Sequence, residues 1–335
     1  MSIVVNKKPN FGLWKGQLKE VDPRGYRRGK FSDAWLGLRE KRWQYVGLYT
    51  EELIVGMAIV HASYIGNIFC YVYDRTQNLL WEQERIAPAG AGIRVDRNVS
   101  KGVVSYVADG ESMRFENDLP LGKRLIDVRL HSEGRDVDIR VEIIDDIEQN
   151  TPLQVVTPTA DGDFTFTHKA AGLPVLGSVR LGNHRYELKP EKDFAALDFS
   201  YGYPARDTFW NWVSLAGHSS CGKRVGINLV DPIFDAVNNE NAFWIDGELY
   251  KVGKTIFEYN EADTLMPWKI RSEDGLVDIV FTPLGKREQS IDYMLLASRF
   301  QQPFGHFSGI LKLPNGQRIS IDNVPGVVEE HHARW

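Results

Sequence analysis

Short runs of β-branched and aromatic residues, broken by glycine-containing turns, recur along almost the whole chain. The segments "AFWIDGELYKV", "SEDGLVDIVF" and "LKLPNGQRISI" each place apolar and polar residues in alternation on either side of an Asp-Gly or Asn-Gly pair. This pair is the strongest short-range signal of a β-hairpin, because it accepts the positive φ angles of a two-residue turn. Such pairs begin at Asp109, Asp161, Asp246, Asp274 and Asn315. The pattern predicts consecutive antiparallel strands joined by tight turns.

Helical periodicity is almost absent from this pattern. The best candidate is "SDAWLGLREKRW", where Ser32 or Asp33 would cap a helix of one or two turns. Because strand signals dominate everywhere else, the sequence predicts an all-β protein with minor helix.

A weak internal repeat relates the two halves of the chain. The motif W-x-Y-V-x-L begins at Trp43, and W-x-W-V-x-L begins at Trp210. A second shared motif follows in each half: the tripeptide VDI begins at Val137 in the first half and at Val277 in the second. The spacing between the two motifs differs between the halves, so a duplication would have diverged by insertion. Two similar antiparallel sheets or barrels in tandem would account for the repeat.

The length of the chain is compatible with this arrangement, since 335 residues suffice for two domains that each bury a core. Turn-forming residues concentrate in "EQNTPLQVVTPTADGDF", between the two halves. The sequence therefore predicts an N-terminal barrel in residues 1–160 and a C-terminal barrel in residues 161–335.

Composition is typical of a soluble globular protein, with 43% hydrophobic and 25% charged residues. The net charge of -5 comes without a basic block, so nucleic acid is not an expected partner. No apolar stretch is long enough to span a membrane. The apolar run in "MSIVVNKKPN" is too short for a secretory signal, which favours a cytoplasmic location. None of these features indicates an oligomeric state.

Motifs for a cofactor or a metal ion are incomplete. The segment "GHSSCGKR" contains GxxxxGK, but Arg224 stands where a P-loop needs Ser or Thr, and a strand pattern follows instead of a helix. It is interpreted as a hairpin loop. The eight histidines are dispersed, and the adjacent His331 and His332 point to opposite faces of a strand. Neither an organic cofactor nor a metal ion is predicted.

Aromatic residues gather on one predicted strand. The segment "PARDTFWNWVSL" places Arg206, Thr208, Trp210 and Trp212 on the same face. A cation, a hydroxyl and two indoles suit a lumen that is lined for a ligand. They equally suit a barrel core in which the arginine packs on an indole. The sequence leaves both interpretations open.

Two further segments combine a carboxylic acid with aromatic residues. In "DFSYGYP", Asp198 precedes Tyr201 and Tyr203. In "ENAFWIDG", Trp244 and Asp246 share a strand face. A carboxylic acid that apolar surroundings keep neutral can protonate an alkene or epoxide, while aromatic faces stabilise the resulting cation. Asp198 and Asp246 are candidates for this acid, although both also precede glycine-containing turns, in which Asp is a routine turn former.

The C-terminal "GVVEEHHARW" combines acids and histidines on a predicted final strand. Alternation puts Glu329, His331 and Trp335 on one face, while Glu330 and His332 lie on the other, which is expected to be a charged solvent face. Glu329 and His331 would be about 6.5 to 7 Å apart along the strand. They either exchange protons in a barrel lumen or anchor the last strand as a structural pair.

The combined motifs resemble a known protein family. Five segments carry the resemblance: "KRWQYVGLYTEELIVGMAIVHASYIGNIFCYVYD", "DFSYGYPARDTFWNWVSLAGHSSCGKRVGINLV", "ENAFWIDGELYKV", "PWKIRSEDGLVDIVFTP" and "FGHFSGILKLPNGQRISIDNVPGVVEEHHARW". Over nearly the full chain they are similar to a bacterial family of domains of unknown function, family 2804, with a C-terminal G-x-x-E-x-H-x-x-x-W signature. That family resembles the double-lipocalin group of carotenoid 1,2-hydratase, AttH-like proteins, tocopherol cyclase-like proteins and some fungal pericyclases. The resemblance implies two lipocalin-like (calycin) antiparallel β-barrels in tandem and an apolar ligand.

Two classes of function are compatible with these observations. One is an enzyme that binds an apolar or isoprenoid-like small molecule in an inter-barrel or lumen pocket and converts it by acid–base addition, elimination or cyclisation, without an organic cofactor. The other is a non-catalytic carrier of a hydrophobic ligand, or a structural protein, since a fold alone does not carry a reaction.

The candidate site residues follow from the segments above. Polar residues within predicted strands are included, because once buried they must bond either to a ligand or to the protein. The candidate catalytic residues are Asp198, Asp246, Glu329, His331 and Tyr203. The candidate ligand-binding residues are Arg206, Trp210, Trp212, Asn228, Asn241, Trp244, Trp268 and Trp335.

Overall fold

The computed structural model describes residues 2–14, 21–26, 33–132, 134–293 and 296–334. Within these ranges the chain is nearly all β, as the hairpin pattern predicts. Its helical elements are helix α1 (Asp33–Arg39) and two short 3-10 turns, Pro23–Gly25 and Leu119–Leu121. Helix α1 confirms the helix predicted in "SDAWLGLREKRW". No helix in the described part of the chain is long and apolar enough to cross a membrane.

Antiparallel pairing joins the described strands into one small and two large sheets. The small sheet consists of β1 (Val4–Val5) and β2 (Lys8–Pro9). The first large sheet contains β3 (Gly12–Trp14), β4 (Lys41–Tyr49), β5 (Leu53–His61), β6 (Ile65–Asp74), β7 (Leu79–Pro88), β8 (Ile93–Val95), β9 (Lys101–Ala108), β10 (Glu111–Asp118), β11 (Lys123–Ser132), β12 (Arg135–Ile144), β13 (Leu153–Pro158), β14 (Phe164–Leu181), β15 (His184–Leu188) and β16 (Phe194–Gly202). The second large sheet contains β17 (Asp207–His218), β18 (Arg224–Asp231), β19 (Ala242–Ile245), β20 (Glu248–Lys251), β21 (Thr255–Glu258), β22 (Trp268–Ser272), β23 (Val277–Tyr293), β24 (Leu296–Lys312) and β25 (Arg318–Arg334).

Each large sheet curls into a barrel-like shape, so the protein consists of two lipocalin-like antiparallel barrels in tandem, as predicted. The first sheet runs in the order β7-β6-β5-β4-β16-β14-β12-β11-β10-β9-β8, with β13, β15 and β3 paired beside this path. The second runs in the order β20-β19-β18-β17-β25-β24-β23-β22-β21. The two orders correspond over nine strands, with β4 in the place of β17, β16 in that of β25, β14 in that of β24 and β12 in that of β23, whereas β9 and β8 extend the first sheet beyond this correspondence.

The internal repeat of the sequence follows this correspondence. The tryptophan motifs at Trp43 and Trp210 lie on β4 and β17, and the VDI tripeptides at Val137 and Val277 lie on β12 and β23. Repeated motifs thus occupy equivalent strands in the two barrels.

All five predicted Asp-Gly or Asn-Gly turns connect consecutive antiparallel strands. At Asp109 and Asp246 the φ angles are 53° and 52°, and the glycines that follow have φ angles of 80° and 88°. Positive φ at both central positions is the type I′ geometry, whose twist matches that of the flanking strands.

Three clusters of buried apolar side chains stabilise this fold. The first fills the first barrel and the second fills the second barrel. The third lies between the sheets and combines side chains of both, such as Tyr45 and Tyr71 with Trp212, Ala216 and Val327. Strands at this junction are therefore buried on both faces, which explains continuous apolar runs such as "LIVGMAIV" in β5.

The chain passes from the first sheet to the second between Gly202 and Asp207. Residues 164–202, which the sequence assigns to the second domain, contribute β14, β15 and β16 to the first sheet. The division into domains at residues 160 and 161 stays a prediction; the change of sheet comes later because the β13–β14 hairpin remains within the first sheet.

The two sheets touch where β14 meets β18. A Cβ atom at Gly226 of β18 would overlap the backbone of Ala171 in β14. We expect Gly226→Ala to lower the free energy of unfolding by about 1–3 kcal/mol, because the sheets would have to move apart. Urea unfolding measures this change. The control is Gly37→Ala in α1, where a Cβ atom meets nothing within 4 Å and alanine favours the helix; equal losses in the two variants would contradict the contact argument.

Candidate functional site

A cavity of about 390 Å³ opens between the two large sheets, and we refer to it as the inter-sheet cavity. Both barrels contribute to its wall, with Trp43 and Tyr45 from β4, Trp210 and Trp212 from β17 and Phe300 from β24. Most of the wall is apolar, and the volume is in the range of small-molecule sites. The cavity adjoins the apolar cluster between the sheets, so it lies between the barrels, which is one of the two locations that the sequence left open.

Equivalent positions of the internal repeat line this cavity in both sheets. In the first sheet, Trp43 Nε1 donates to Asp198 Oδ2 over 3.4 Å, and Asp198 pairs with the residue two positions after that tryptophan. In the second sheet, Trp210 Nε1 donates to Glu329 Oε1 over 2.7 Å, and Glu329 pairs with the residue two positions after Trp210. The two carboxyl groups therefore occupy corresponding places in the two halves.

Lys169 of β14 is the ionic partner of Asp198. Its Nζ lies 3.1 Å from Asp198 Oδ2 and 2.8 Å from Glu240 Oε2, and its side chain is only 4% exposed. Burial alone would lower the pKa of Lys169, but the two carboxylates raise it to about 12. The hydroxyls of Thr167 and Ser200 also donate to Asp198. Asp198 lies inside β16, so the alternative that it caps a turn is wrong.

Glu329 has uncharged hydrogen-bond partners. Within the described residues, its carboxyl group accepts from the Trp210 indole and from Gln302 Nε2, which lies 2.8 Å from Oε2. Burial raises the pKa of Glu329 to about 7. This value is the net of several effects: the negative charge of Asp198 also raises the pKa, whereas the two hydrogen bonds and the charge of Lys169 lower it. Near neutral pH the group can therefore either donate or accept a proton.

The two halves differ in the side chain that lies beside the carboxyl group. Lys169 pairs directly with Asp198 between β14 and β16. In the corresponding strand β24, Gln302 lies beside Glu329, because the preceding Gln301 pairs with Glu330. An ammonium group thus meets the carboxyl group in one half, and an uncharged amide meets it in the other. Acid–base sites commonly give two carboxyl groups such different surroundings.

His331 lies beside Glu329 in the cavity wall. Its Nδ1 is 3.8 Å from Glu329 Oε1, and its Nε2 is 2.9 Å from Ser298 Oγ. The Trp210 ring contacts the imidazole edge-on, with 4.3 Å between the ring centres. Burial lowers the pKa of His331 to about 3, and nearby cationic side chains add to this effect. The imidazole is therefore neutral at neutral pH, so it adds no positive charge beside Glu329.

Two of the candidate catalytic residues lie away from the inter-sheet cavity. Asp246 occupies the first position of the β19–β20 turn, with its side chain exposed and 3.2 Å from Lys223 Nζ. This geometry favours the alternative interpretation, in which Asp246 is a turn residue. Tyr203 is buried in the first barrel, where its ring packs against Tyr26 and Phe164.

The two candidate asparagines bond to the protein. Asn228 accepts a hydrogen bond from the Trp212 indole over 2.7 Å and donates to the backbone carbonyl of Glu240 over 2.7 Å. It therefore holds one wall of the inter-sheet cavity in place. Asn241 is fully buried and bonds to the backbone of Val230 and of Gly253.

The remaining candidate ligand-binding residues do not line the cavity in the described part of the chain. Trp244 packs between the sheets and donates to the carbonyl of Thr151 over 2.7 Å. Trp268 is buried in the core of the second barrel, stacked on Tyr259. The side chain of Arg206 is exposed, and Trp335 lies outside the described residues.

The predicted solvent face of the last strand is wrong at Glu330, which is 1% exposed. Its Oε2 accepts from the Tyr259 hydroxyl over 2.6 Å, and its Oε1 lies 3.1 Å from Arg299 Nη2. The sequence prediction did not anticipate that the core of the second barrel covers this face of β25, while the inter-sheet cavity covers the opposite face. His332 is exposed, as predicted, and lies on the face opposite to His331.

Three residues of the site escaped the sequence interpretation. Lys169 follows His168 in "FTFTHKAAG", a run whose other residues suit a buried strand. A charged residue in such a strand must have a partner, so its charge could have indicated a residue of the site. Gln302 gives no comparable signal. Arg287 stands in "LGKREQSIDY", which looks like an exposed charged strand, yet its side chain is only 3% exposed and lines the cavity.

Comparisons with known proteins agree with this architecture. Residues 6–335 match the model of a family described as "Domain of unknown function (DUF2804)". No curated protein matches the chain.

Three solved structures are similar to the chain. The structure of CghA with Sch210972 has a TM-score of 0.51 and 12% identity, with 87% of each chain covered. A putative AttH from Nitrosomonas europaea has a TM-score of 0.48 and 14% identity, covering 88% of this chain and 92% of that one. Kievitone hydratase from Nectria haematococca has a TM-score of 0.49 and 14% identity, with 88% of each chain covered. At this level of identity, the likeness to CghA shows the fold alone.

Proposed function

The chain belongs to the family described as "Domain of unknown function (DUF2804)", and from its site we propose that it binds an apolar small molecule in the inter-sheet cavity and transfers a proton to or from it through Glu329. One observation carries this proposal. Glu329 is a buried carboxyl group in a tryptophan-lined wall, and its pKa is raised to about 7. A general acid or base works best when its pKa lies near the working pH.

The surrounding residues support acid–base chemistry that needs no organic cofactor. In a hydration, Glu329 would give its proton to one alkene carbon, and water would add to the other carbon and return a proton to the carboxylate. Elimination is the reverse of this reaction, and in a cyclisation a second group of the substrate replaces the water. The indoles of Trp43, Trp210 and Trp212 would hold the apolar substrate and stabilise positive charge that develops on it.

The first experiment identifies the ligand. Native mass spectrometry and solvent extraction of freshly purified protein are expected to yield an apolar small molecule bound in stoichiometric amount. Incubation with the wild-type protein should then convert this molecule or its precursor. A ligand that the wild type always returns unchanged would contradict catalysis and favour the alternative of a carrier.

Glu329→Gln tests the role of the carboxyl group in that reaction. We expect turnover to fall by about 100-fold to 10,000-fold, because the amide keeps the shape of the side chain but cannot transfer the proton. Ligand binding should be retained. Glu288→Gln, at an exposed position of β23, is the matched control and should leave turnover unchanged. Full turnover in Glu329→Gln would remove this residue from the mechanism.

A further inference from the structure

Arg287 places a guanidinium group in the wall of the inter-sheet cavity. Its side chain is only 3% exposed. The guanidinium carbon lies 4.3 Å from the centre of the Phe69 ring and 5.1 Å from that of Phe300, so the group packs against two neighbouring aromatic rings. A cation in such apolar surroundings needs partners for its N–H groups, because burial removes the water that would otherwise solvate them.

The protein satisfies only part of this hydrogen-bonding capacity. Nη2 of Arg287 donates to Glu84 Oε2 over 2.7 Å, whereas Nε is 3.9 Å from Glu82 Oε2, beyond hydrogen-bond distance. A guanidinium has five N–H donors. The other N–H groups of Arg287 form no hydrogen bond with a described residue. Their nitrogens are not fully enclosed by the protein. They therefore keep access to the cavity that Arg287 lines.

The carboxylate of Glu84 is itself fixed, which fixes the guanidinium. Asn67 Nδ2 donates to Glu84 Oε1 over 2.7 Å, while Arg287 uses Oε2. Asn67 also lines the cavity. The ion pair thus orients the guanidinium, and N–H groups that Glu84 does not use can bind a second acceptor in the cavity that Arg287 lines.

Strand register relates this fork to the proposed acid. Arg287 of β23 pairs with Gln302 of β24, and Gln302 donates to Glu329 of β25. With neighbouring strands about 4.8 Å apart, the backbones of Arg287 and Glu329 are about 10 Å apart on one face. A small molecule that is held at one end by the guanidinium would bring a carbon several bonds away to Glu329.

We propose that the apolar ligand carries an oxyanion with two oxygens, such as a carboxylate, and that Arg287 binds this group. The inference rests on the proposed function and makes it more specific, because it names the class of ligand as an apolar acid. A planar guanidinium matches a two-oxygen anion with two parallel N–H donors, and the hydrogen bonds are stronger when water is excluded.

A pair of fluorescent probes tests this proposal. Anilinonaphthalene sulfonate carries an oxyanion, and phenylnaphthylamine is its uncharged parent. Both are titrated into wild-type protein and into the Glu84→Gln/Arg287→Gln double variant, which removes the cation together with the carboxylate that accepts its hydrogen bond. The double variant should bind the sulfonate about ten-fold more weakly or worse, since a charged hydrogen bond is lost. Its affinity for the parent probe should change less than two-fold.

A single variant gives a second, independent readout. Glu84→Gln alone releases the guanidinium from its carboxylate partner and should strengthen sulfonate binding while leaving the parent probe unaffected. Equal changes for both probes in these variants would overturn the role of Arg287 and leave the proposed apolar site intact. Failure of the wild type to bind either probe would overturn the proposed apolar site together with the inference.

Discussion

Replacing Lys169 with glutamine is expected to lower the free energy of unfolding by about 3–5 kcal/mol. The lysine is almost fully buried between two carboxylates, with Nζ 3.1 Å from Asp198 and 2.8 Å from Glu240. Its removal leaves negative charge in the cavity wall without the cation that balances it. Breaking a buried ion pair on one side has a large effect because the remaining charge stays desolvated.

Urea unfolding at neutral pH measures this loss. The matched control is Lys192→Gln, which removes an exposed lysine that is 3.0 Å from the exposed Glu51. An exposed pair contributes at most about 1 kcal/mol, since water and salt screen it. If Lys169→Gln were no more destabilising than this control, Lys169 would not be the compensating charge of the cavity.

The free energy of unfolding of the wild type is expected to fall by about 3 kcal/mol, relative to Glu329→Gln, as the pH rises from about 4.5 to above 7. The folded protein raises the pKa of Glu329 from its ordinary 4.5 to about 7. Between these values the unfolded chain has lost the proton and the folded protein still holds it, so rising pH favours unfolding. The stability that the protonated group contributes is therefore complete below pH 4.5 and lost as the pH passes 7. At about 1.4 kcal/mol per pH unit, this interval corresponds to the expected change.

Urea unfolding of both proteins across this pH range tests the expectation. The readout is how the difference between them changes with pH, because a constant offset would reflect only the fit of the new amide beside Gln302. Glu288→Gln serves as the control for removal of an exposed carboxylate. A difference that stays the same at every pH would show that folding leaves the pKa of Glu329 at its ordinary value, and would remove the physical basis for its role as an acid.

The fold was accessible from the sequence because its signals are local. A turn such as Asp246-Gly247 requires residues that accept positive φ, and the alternation of strands such as β10 is visible within eight residues. The repeat at Trp43 and Trp210 indicated two similar barrels. The point at which the chain passes from the first sheet to the second was harder to predict. It depends on the pairing of β14 with β16 and of β16 with β4, and β4 and β16 are far apart along the chain.

The site was only partly accessible because its signals depend on packing. Trp210 and Trp268 were both candidate ligand-binding residues, yet one lines the cavity and the other is buried in the second barrel. Alternation correctly separated Glu329 from Glu330, but no local pattern shows that both faces of β25 are covered. The role of Lys169 depends on its register opposite Asp198, which only the assembled sheet defines.

The correspondence between Lys169 and Gln302 has a consequence for how such a cavity can evolve. Two identical barrels that associate as a symmetric dimer must present the same residue at both positions, so both carboxyl groups would have the same partner. When the two barrels are one polypeptide, a mutation changes one position and leaves the other as it was. Fusion of the halves thus permits the two carboxyl groups to have different roles: one balances a buried cation, and its counterpart can exchange a proton.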